Sequence, residues 1–359
     1  MELNSSNEVL AAYGFSKDNT SIAKVGSGLI NHTYLIQPKS GDKKFILQQI
    51  NTNVFKNPWA IANNIEAISD YLAKEFPSYY FIKPIKTLSG LEMAVVNDEY
   101  WRMLPFVSDT VSLDVLSEPE QAYEAAKQFG KLSMLLNNFD AAMLEPTIPG
   151  FHDLGLRFDQ FSKALLDTSN DLKQQAKAQI EDALEHKYIL DYFKSYAKRS
   201  DFPNRVIHHD TKISNVLLDN KSFIGICVID LDTIMPGKFI SDLGDMMRTY
   251  LCAFSENEVD LSKIKIRIPY FEAMIKGYLS EMKNSLTETE KELILFSGKY
   301  IIYMQALRFL TDFLNGSVYY PTDYTTQNLD RTKNQFKLLS EVFENEKILQ
   351  DIIEENLIN

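Results

Sequence analysis

The chain changes its hydrophobic period near Val107, with one β-rich island in the part that follows, and that change limits the folds open to it. Before it, short apolar runs alternate with turn residues, the pattern of strands. IAKVGSGLINHTYLI holds two apolar segments around Gly26-Ser27-Gly28, and KKFILQQI follows the turn Ser40-Gly41-Asp42. Asn57-Pro58 reads as N-cap and first helical residue. Trp59, Ala62, Ile65 and Leu72 then recur at helical spacing to about Glu75. YFIKPIKT and LEMAVVND read as two further strands turning at Ser89-Gly90, and YWRMLPFV closes this part. After Val107 the period is helical. Ser117-Glu118-Pro119-Glu120 reads as a capping box opening a helix to about Asn138, and residues 157–198 as further helix. Thr287-Glu288-Thr289-Glu290 opens a long helical stretch that Gly316 stops, and a terminal helix follows. The expected class is α+β: residues 1–105 form an antiparallel sheet with one helix, and residues 106–359 are mainly helical.

Composition narrows the function classes. At 359 residues, 45% hydrophobic and 24% charged, the chain can bury a sizeable core in two domains or lobes. No apolar run approaches the roughly 18–20 residues of a membrane span. The start, MELNSSNEVL, lacks the basic and apolar regions of a secretory signal. Cys227 and Cys252 are too few for a disulfide framework and lack metal-ligand spacing. A reducing, cytoplasmic setting without a membrane partner is expected. Residues 1–107 carry ten basic and ten acidic side chains, and the remainder carries 27 against 39, which is the whole net charge of −12. Nucleic-acid binding needs a basic face, so that class is disfavoured. An acidic second half tolerates Mg²⁺ and neutral or cationic ligands. A monomer or weak homodimer acting on a small-molecule substrate is expected.

The chemistry concentrates in His208-His209-Asp210-Thr211-Lys212-Ile213-Ser214-Asn215, followed by the hairpin VLLDNKSFIGICVID around Asp219-Asn220 and by Asp230-Leu231-Asp232. The order is His-x-Asp, four residues, Asn, apolar hairpin, Asp. Phosphoryl transfer needs one carboxylate to accept a hydroxyl proton and two oxygen ligands to hold Mg²⁺ on the phosphates. Asp210 suits the first role. Asn215 and Asp230 suit the second.

This layout resembles the protein-kinase-like phosphotransferases of the aminoglycoside phosphotransferase and choline kinase group. VIHHDTKISNVLLD, VIDLDTIMPG, ISDLGDMMR, GSGLINHTYLI, FKNPWAIANNI and LRFLTDFLNGSVYY look closest to the N-acetylhexosamine 1-kinase branch, over residues 20–340. The resemblance implies a bilobal kinase fold, ATP with Mg²⁺, and a hydroxyl acceptor, best read as an amino sugar. An aminoglycoside or a choline-like amino alcohol stays open as acceptor, and a nucleotide-binding pseudokinase is the reading from another class. It further implies that Gly26 and Gly28 form the flap over the phosphates, and that Arg102 and Leu104 offer backbone groups to the adenine edge. Asn31 and His32 are expected to face the cleft, and Asp232 to reach metal or acceptor. Arg308 is placed beside the sugar, against the default of an intrahelical pair with Asp312, and Tyr319 and Tyr320 stack on the ring or fill the rim. Asp242 and Asp245 are expected to brace the catalytic loop, with His208 a structural residue. The sequence departs from the kinase pattern on the third strand, where Gln48 replaces a cation and Glu66 is the candidate helix acid. Gln48 can hydrogen-bond a phosphate but brings no charge, so Lys24 or Arg102 is expected to supply it.

Overall fold

The computed structural model describes residues 6–25 and 30–358. Helix α1 (Ser6–Ala12), unmarked in the sequence pattern, precedes the strands β1 (Thr20–Lys24), β2 (His32–Pro38) and β3 (Phe45–Gln49). Helix α2 (Pro58–Glu75) follows, then β4 (Ala94–Val96) and β5 (Glu99–Pro105). The five strands form one antiparallel sheet in the order β1-β2-β3-β5-β4. YFIKPIKT is not a strand: it contributes a single bridge, Ile85 to Met103. Pro84 has no N–H to give a ladder, which fits that outcome.

Strand alternation divides the sheet into two faces. Tyr34, Ile36, Leu47, Trp101 and Met103 pack under Val9, Leu10 and Tyr13, and the Tyr13 hydroxyl donates to the Trp101 carbonyl at 2.9 Å. Thr33, Gln48 and Arg102 sit opposite one another on three successive strands and point to the other face. Helix α2 buries Ile61, Ile65, Ile68 and Leu72 in the main core rather than in the small core under α1. The buried Asn64 ties it there: its Nδ2 donates to the carbonyls of Glu145 (2.8 Å) and Ile234 (2.9 Å), and its Oδ1 accepts from the Glu145 N–H (2.9 Å).

The rest of the chain is mainly helical. Strand β6 (Thr110–Val111) leads to α3 (Pro119–Leu135). The residue that accepts at the start of α3 is Gln121, whose Oε1 takes the N–H groups of Ser117 (2.9 Å) and Glu118 (3.3 Å), not the expected Glu120. Residues 157–198 divide among α4 (Leu154–Asp167), α5 (Asn170–Gln175), α6 (Lys177–Glu185) and α7 (Tyr188–Tyr196). Strands β7 (Arg205–Ile207), β8 (Val216–Asp219), β9 (Gly225–Val228) and β10 (Met235–Gly237) then build two small sheets, β10-β7 and β6-β8-β9. Helices α8 (Ile240–Tyr250), α9 (Ile268–Met282), α10 (Glu288–Glu292) and α11 (Ile294–Leu314) follow. The expected terminal helix is two, α12 (Gln327–Glu344) and α13 (Glu346–Ile358). The capping box at Thr287 forms as expected: Thr287 N–H donates to Glu290 Oε2 (2.8 Å) and Glu290 N–H to Thr287 Oγ1 (3.1 Å).

Helix α11 is apolar on nearly every side and forms the axis of the core, with Ile301, Ile302, Leu307 and Leu310 all buried. Each such side chain contributes roughly 1.5–3 kcal/mol. Helix α8 can approach it closely because Gly244 and Gly298 face the junction: a Cβ on Gly244 would stand 2.2 Å from the Ser297 carbonyl oxygen. That seat matters, because α8 carries the acids that hold the loop between β7 and β8. None of the described helices is long and apolar enough to cross a membrane.

Candidate active site

The loop His208–Asn215 leaves β7 and is clamped from α8. Asp242 accepts the backbone N–H groups of His208 (3.0 Å) and His209 (2.7 Å) on separate oxygens, and Asp245 accepts that of Thr211 (2.8 Å). The Tyr250 hydroxyl donates to the Thr211 carbonyl at 2.9 Å. Burial pushes the Asp242 carboxyl up to about 6. His209 is strained into the left-handed region (φ 65°), and the surrounding bonds hold it there. Its buried ring donates from Nδ1 toward the carbonyls of Ile207 and Thr233, both 3.1 Å away, and burial lowers its pKa to about 4. His208 is structural, its Nε2 lying 3.0 Å from the Ile229 carbonyl.

Asp210 follows directly. Its Oδ2 accepts from Lys212 Nζ and from Asn215 Nδ2, both at 2.9 Å. Enclosure alone would raise its pKa, but Lys212 and Asn215 outweigh that and hold the carboxyl below its ordinary value. Asp210 is therefore ionised at neutral pH. Lys212 escaped the sequence reading, although its position two residues after Asp210 in the same loop was a usable signal.

Asp230 ends the hairpin in a left-handed conformation (φ 58°, ψ 57°) and opens to the cleft. Enclosure by the cleft walls and the nearby carboxylates of Asp232 and Asp210 push it up to about 7. Such a concentration of negative charge suits a bound cation. Asn215 spends its Nδ2 on Asp210, at 2.8 Å to the carbonyl and 2.9 Å to Oδ2, which leaves its Oδ1 free to act as a ligand. Among the described residues no three His, Cys, Asp or Glu side chains converge as a metal site. One carboxylate and one amide oxygen instead fit Mg²⁺, which keeps waters and phosphate oxygens in its shell.

Asn215 and Asp230 line a cleft of about 390 Å³ with Gln48, Arg102 and Leu104 across from them. Arg102 does not present its backbone there. The bonds Ile50 N–H to Tyr100 O (2.9 Å) and Phe106 N–H to Lys44 O (3.2 Å) set the register. They make Gln48–Arg102 and Ile46–Leu104 the hydrogen-bonded pairs of the ladder, so the backbone groups of Arg102 and Leu104 are spent on β3. The expected adenine contacts from these two backbones are thus corrected.

The Arg102 side chain has a different place. Its Nε and Nη2 donate to Gln48 Oε1 (2.9 and 2.7 Å), and its Nη1 pairs with Asp232. Gln48 in turn donates to Thr33 Oγ1 at 3.2 Å. The cation missing from the third strand is thus carried by the fifth, while Lys24 is exposed. Glu66 plays no part in it and pairs with Lys86 at 2.9 Å. Asp232, buried, accepts from Asn31 Nδ2 at 2.6 Å on its second oxygen, and Asn31 Oδ1 accepts the Asn51 N–H at 3.0 Å. Asn31 and Asp232 are therefore bonded to each other across the cleft rather than open to a ligand. His32 shares the sheet face of Tyr34 and Ile36, opposite to Thr33, so the strand turns it away from the cleft. Gly26 and Gly28 lie outside the described residues.

Arg308 lines a second cavity, of about 590 Å³. The default intrahelical pair of Arg308 with Asp312 is absent from the ion pairs of the described residues. Asp312 accepts the N–H groups of Val318 (3.0 Å), Tyr319 (2.9 Å) and Tyr320 (2.9 Å), and Asn328 Nδ2 (2.9 Å). It fixes the loop that brings both tyrosines to the cavity.

A five-stranded sheet over a helical body, with the His208–Asn215 loop and the β8-β9 hairpin at their junction, is the fold of the protein-kinase-like phosphotransferases. The chain belongs to the phosphotransferase enzyme family, which it matches over residues 21–265. Three solved structures share its fold. The microcompartment-associated aminopropanol kinase has 16% identity and a TM-score of 0.65, over 96% of this chain and 98% of that one. A spectinomycin phosphotransferase in complex with ADP and spectinomycin has 14% and 0.62, over 97% and 99%. An ethanolamine kinase from Plasmodium vivax has 15% and 0.54, over 89% and 82%. At these identities the likeness is one of fold.

Proposed function

We propose that the protein is an ATP- and Mg²⁺-dependent kinase acting on the anomeric 1-hydroxyl of N-acetylglucosamine or N-acetylgalactosamine. The observation that carries the kinase reading is the ionised Asp210 carboxylate, held by Lys212 and Asn215 beside the Asp230 side chain at the mouth of the cleft. Asp210 aims the acceptor hydroxyl at the γ-phosphorus and takes its proton. The acceptor oxygen–phosphorus bond forms, the bond to the β,γ-bridging oxygen breaks, and ADP leaves. Asn215 and Asp230 would hold Mg²⁺, which supplies charge neutralisation at the phosphates. Lys212 and Arg102 would supply positive charge to the phosphates. Gln48 aims the Arg102 guanidinium rather than binding phosphate itself. The nucleotide sits between residues 1–105 and 106–359. The ADP bound in the spectinomycin phosphotransferase of the same fold supports a nucleotide donor.

The sugar assignment rests on the sequence segments that resemble the N-acetylhexosamine branch, with Arg308, Tyr319 and Tyr320 at one cavity in support. An acceptor panel with Mg·ATP, read by ADP release and by ³¹P NMR of the product, tests it. An anomeric sugar phosphate is expected. Turnover of amino alcohols without turnover of either sugar would refute the acceptor. Nucleotide binding with no turnover across the panel would refute the kinase reading.

A further inference from the structure

A third cavity, of about 370 Å³, lies behind the His208–Asn215 loop. Its walls come from the segment 146–153, from residues 235–241 at β10 and the start of α8, and from Phe193 of α7 and Tyr300 of α11. His209, the residue before Asp210, is part of the wall. The cavity shares no lining residue with the cleft of Asn215 and Asp230.

Most of the wall is apolar, but three donors in it lack an acid or an acceptor. The first is Lys238. Its Nζ donates to the Phe202 carbonyl and lies 4.7 Å from the centre of the Phe202 ring, and it makes no ion pair among the described residues. Burial lowers its pKa, as expected of an ammonium without a counter-ion. The second is His152, whose Nδ1 is buried without a hydrogen-bond partner. Its ring is stacked on Phe151 at 4.6 Å and stands edge-on to His209 at 5.2 Å. The third is the start of α8, which carries no side-chain cap and whose Ile240 and Ser241 line the cavity.

The field at this wall is positive. Burial first, then His209, Arg308, Arg248 and Arg157, drive the His152 pKa well below its ordinary value. Arg157 of α4 and Arg308 of α11 line the second cavity, which adjoins this one at Ile148 and Phe151. The neighbouring acids are committed. Asp242 gives its oxygens to the N–H groups of His208 and His209, and Glu290 pairs with Arg205 at 2.7 Å. Asp153 is the one carboxylate in the wall among the described residues. It is exposed, and its Oδ1 caps α4 by accepting the Leu156 N–H at 3.0 Å. Water and the dipole of α4 both reduce the reach of that charge.

We infer that this cavity is a second ligand site, for a small organic anion that carries a phosphate or carboxylate on an apolar body. The oxyanion accepts from Lys238, from His152 Nδ1–H and from the first N–H groups of α8, while the apolar body packs on Ile148, Phe193 and Tyr300. Because His209 is in the wall, such a ligand touches the loop that carries Asp210. The inference goes beyond the kinase reading and does not depend on it, since no nucleotide or acceptor takes part.

The probe is phenyl phosphate, with phenol and benzylamine as its uncharged and cationic counterparts. Binding to the nucleotide-free full chain is read by calorimetry and by ¹⁵N NMR of the imidazoles, of which there are five. Phenyl phosphate should bind about tenfold or more tightly than either counterpart and should shift the His152 ring signals. Lys238→Met should weaken it by about 10–100-fold, the scale of a hydrogen bond from a charged group. His152→Phe keeps the stacked ring and should weaken it by about 2–10-fold. Asp153→Asn should tighten it by about 2–5-fold, a gain that a damaged fold does not produce. Arg102→Met, in the nucleotide cleft, should leave the affinity unchanged. Equal affinity for phenyl phosphate and phenol, or wild-type affinity in both Lys238→Met and His152→Phe, overturns the inference. Binding lost in Arg102→Met but kept in Lys238→Met places the anion in the nucleotide cleft and overturns it as well.

Discussion

Arg102→Met tests whether the cation displaced from the third strand holds the site together. The Arg102 and Asp232 side chains are each only 3% exposed, and the pair joins the N-terminal sheet to the turn that carries Asp230. Without the guanidinium, Asp232 keeps only the Asn31 amide and stays close to the carboxylate of Asp230. Removing one partner of a buried pair costs about 3–5 kcal/mol, because a charge is left without compensation. An unfolding entropy of roughly 2.1 cal/mol/K per residue gives about 0.75 kcal/mol/K for this chain, so the melting midpoint should fall by about 4–7 °C. Circular dichroism melts of the nucleotide-free protein read this directly. Asp232→Asn in the Arg102→Met background removes the stranded charge and should recover more than half of the loss. A single variant melting within about 1 °C of wild type, or a double variant no more stable than the single, would show that the pair is not what joins these elements.

Two further outcomes follow from other parts of the site. Asp312→Ala strands three backbone N–H groups of the 318–320 loop. It should cost about 1–3 kcal/mol in urea unfolding and raise the acceptor KM more than it lowers kcat; an unchanged KM would show that the loop does not shape the pocket. His209 stays neutral in the fold, with a pKa of about 4, but titrates near its ordinary value when unfolded. Its contribution is therefore complete above about pH 6.5 and is lost as pH falls toward 4, by about 3 kcal/mol. Urea midpoints between pH 7 and pH 4.5 should slope accordingly, and His209→Gln should flatten the slope; an equal slope in the variant would assign it elsewhere.

What the sequence disclosed depended on how local each feature is. Asp210, Asn215 and Asp230 lie within one loop-and-hairpin unit, so their spacing already fixes their convergence. The bracing acids Asp242 and Asp245 come from the next helix and were equally legible. The partnership of Arg102 with Asp232 joins residues far apart in the chain and depends on the register of β3 against β5, which composition does not encode. His32 shows how sharp that dependence is. A strand reverses its face at every residue, so Thr33 lines the cleft while its neighbour points away. The same holds for helix α1, too short at Ser6–Ala12 to show a clear period, and for Arg157, which meets Arg308 only because α4 packs on α11. The default Arg308–Asp312 pair does not form because the backbone of the following loop takes Asp312.

Single-turnover transfer from γ-labelled ATP to N-acetylglucosamine, in wild type and in Asp210→Asn, reaches the central assignment most directly. The variant keeps the shape of the loop but cannot take the acceptor proton. Transfer should slow by about 10²–10⁴ with nucleotide affinity little changed. Equal transfer rates in the two proteins would contradict the role given to Asp210, and with it the chemistry assigned to the cleft.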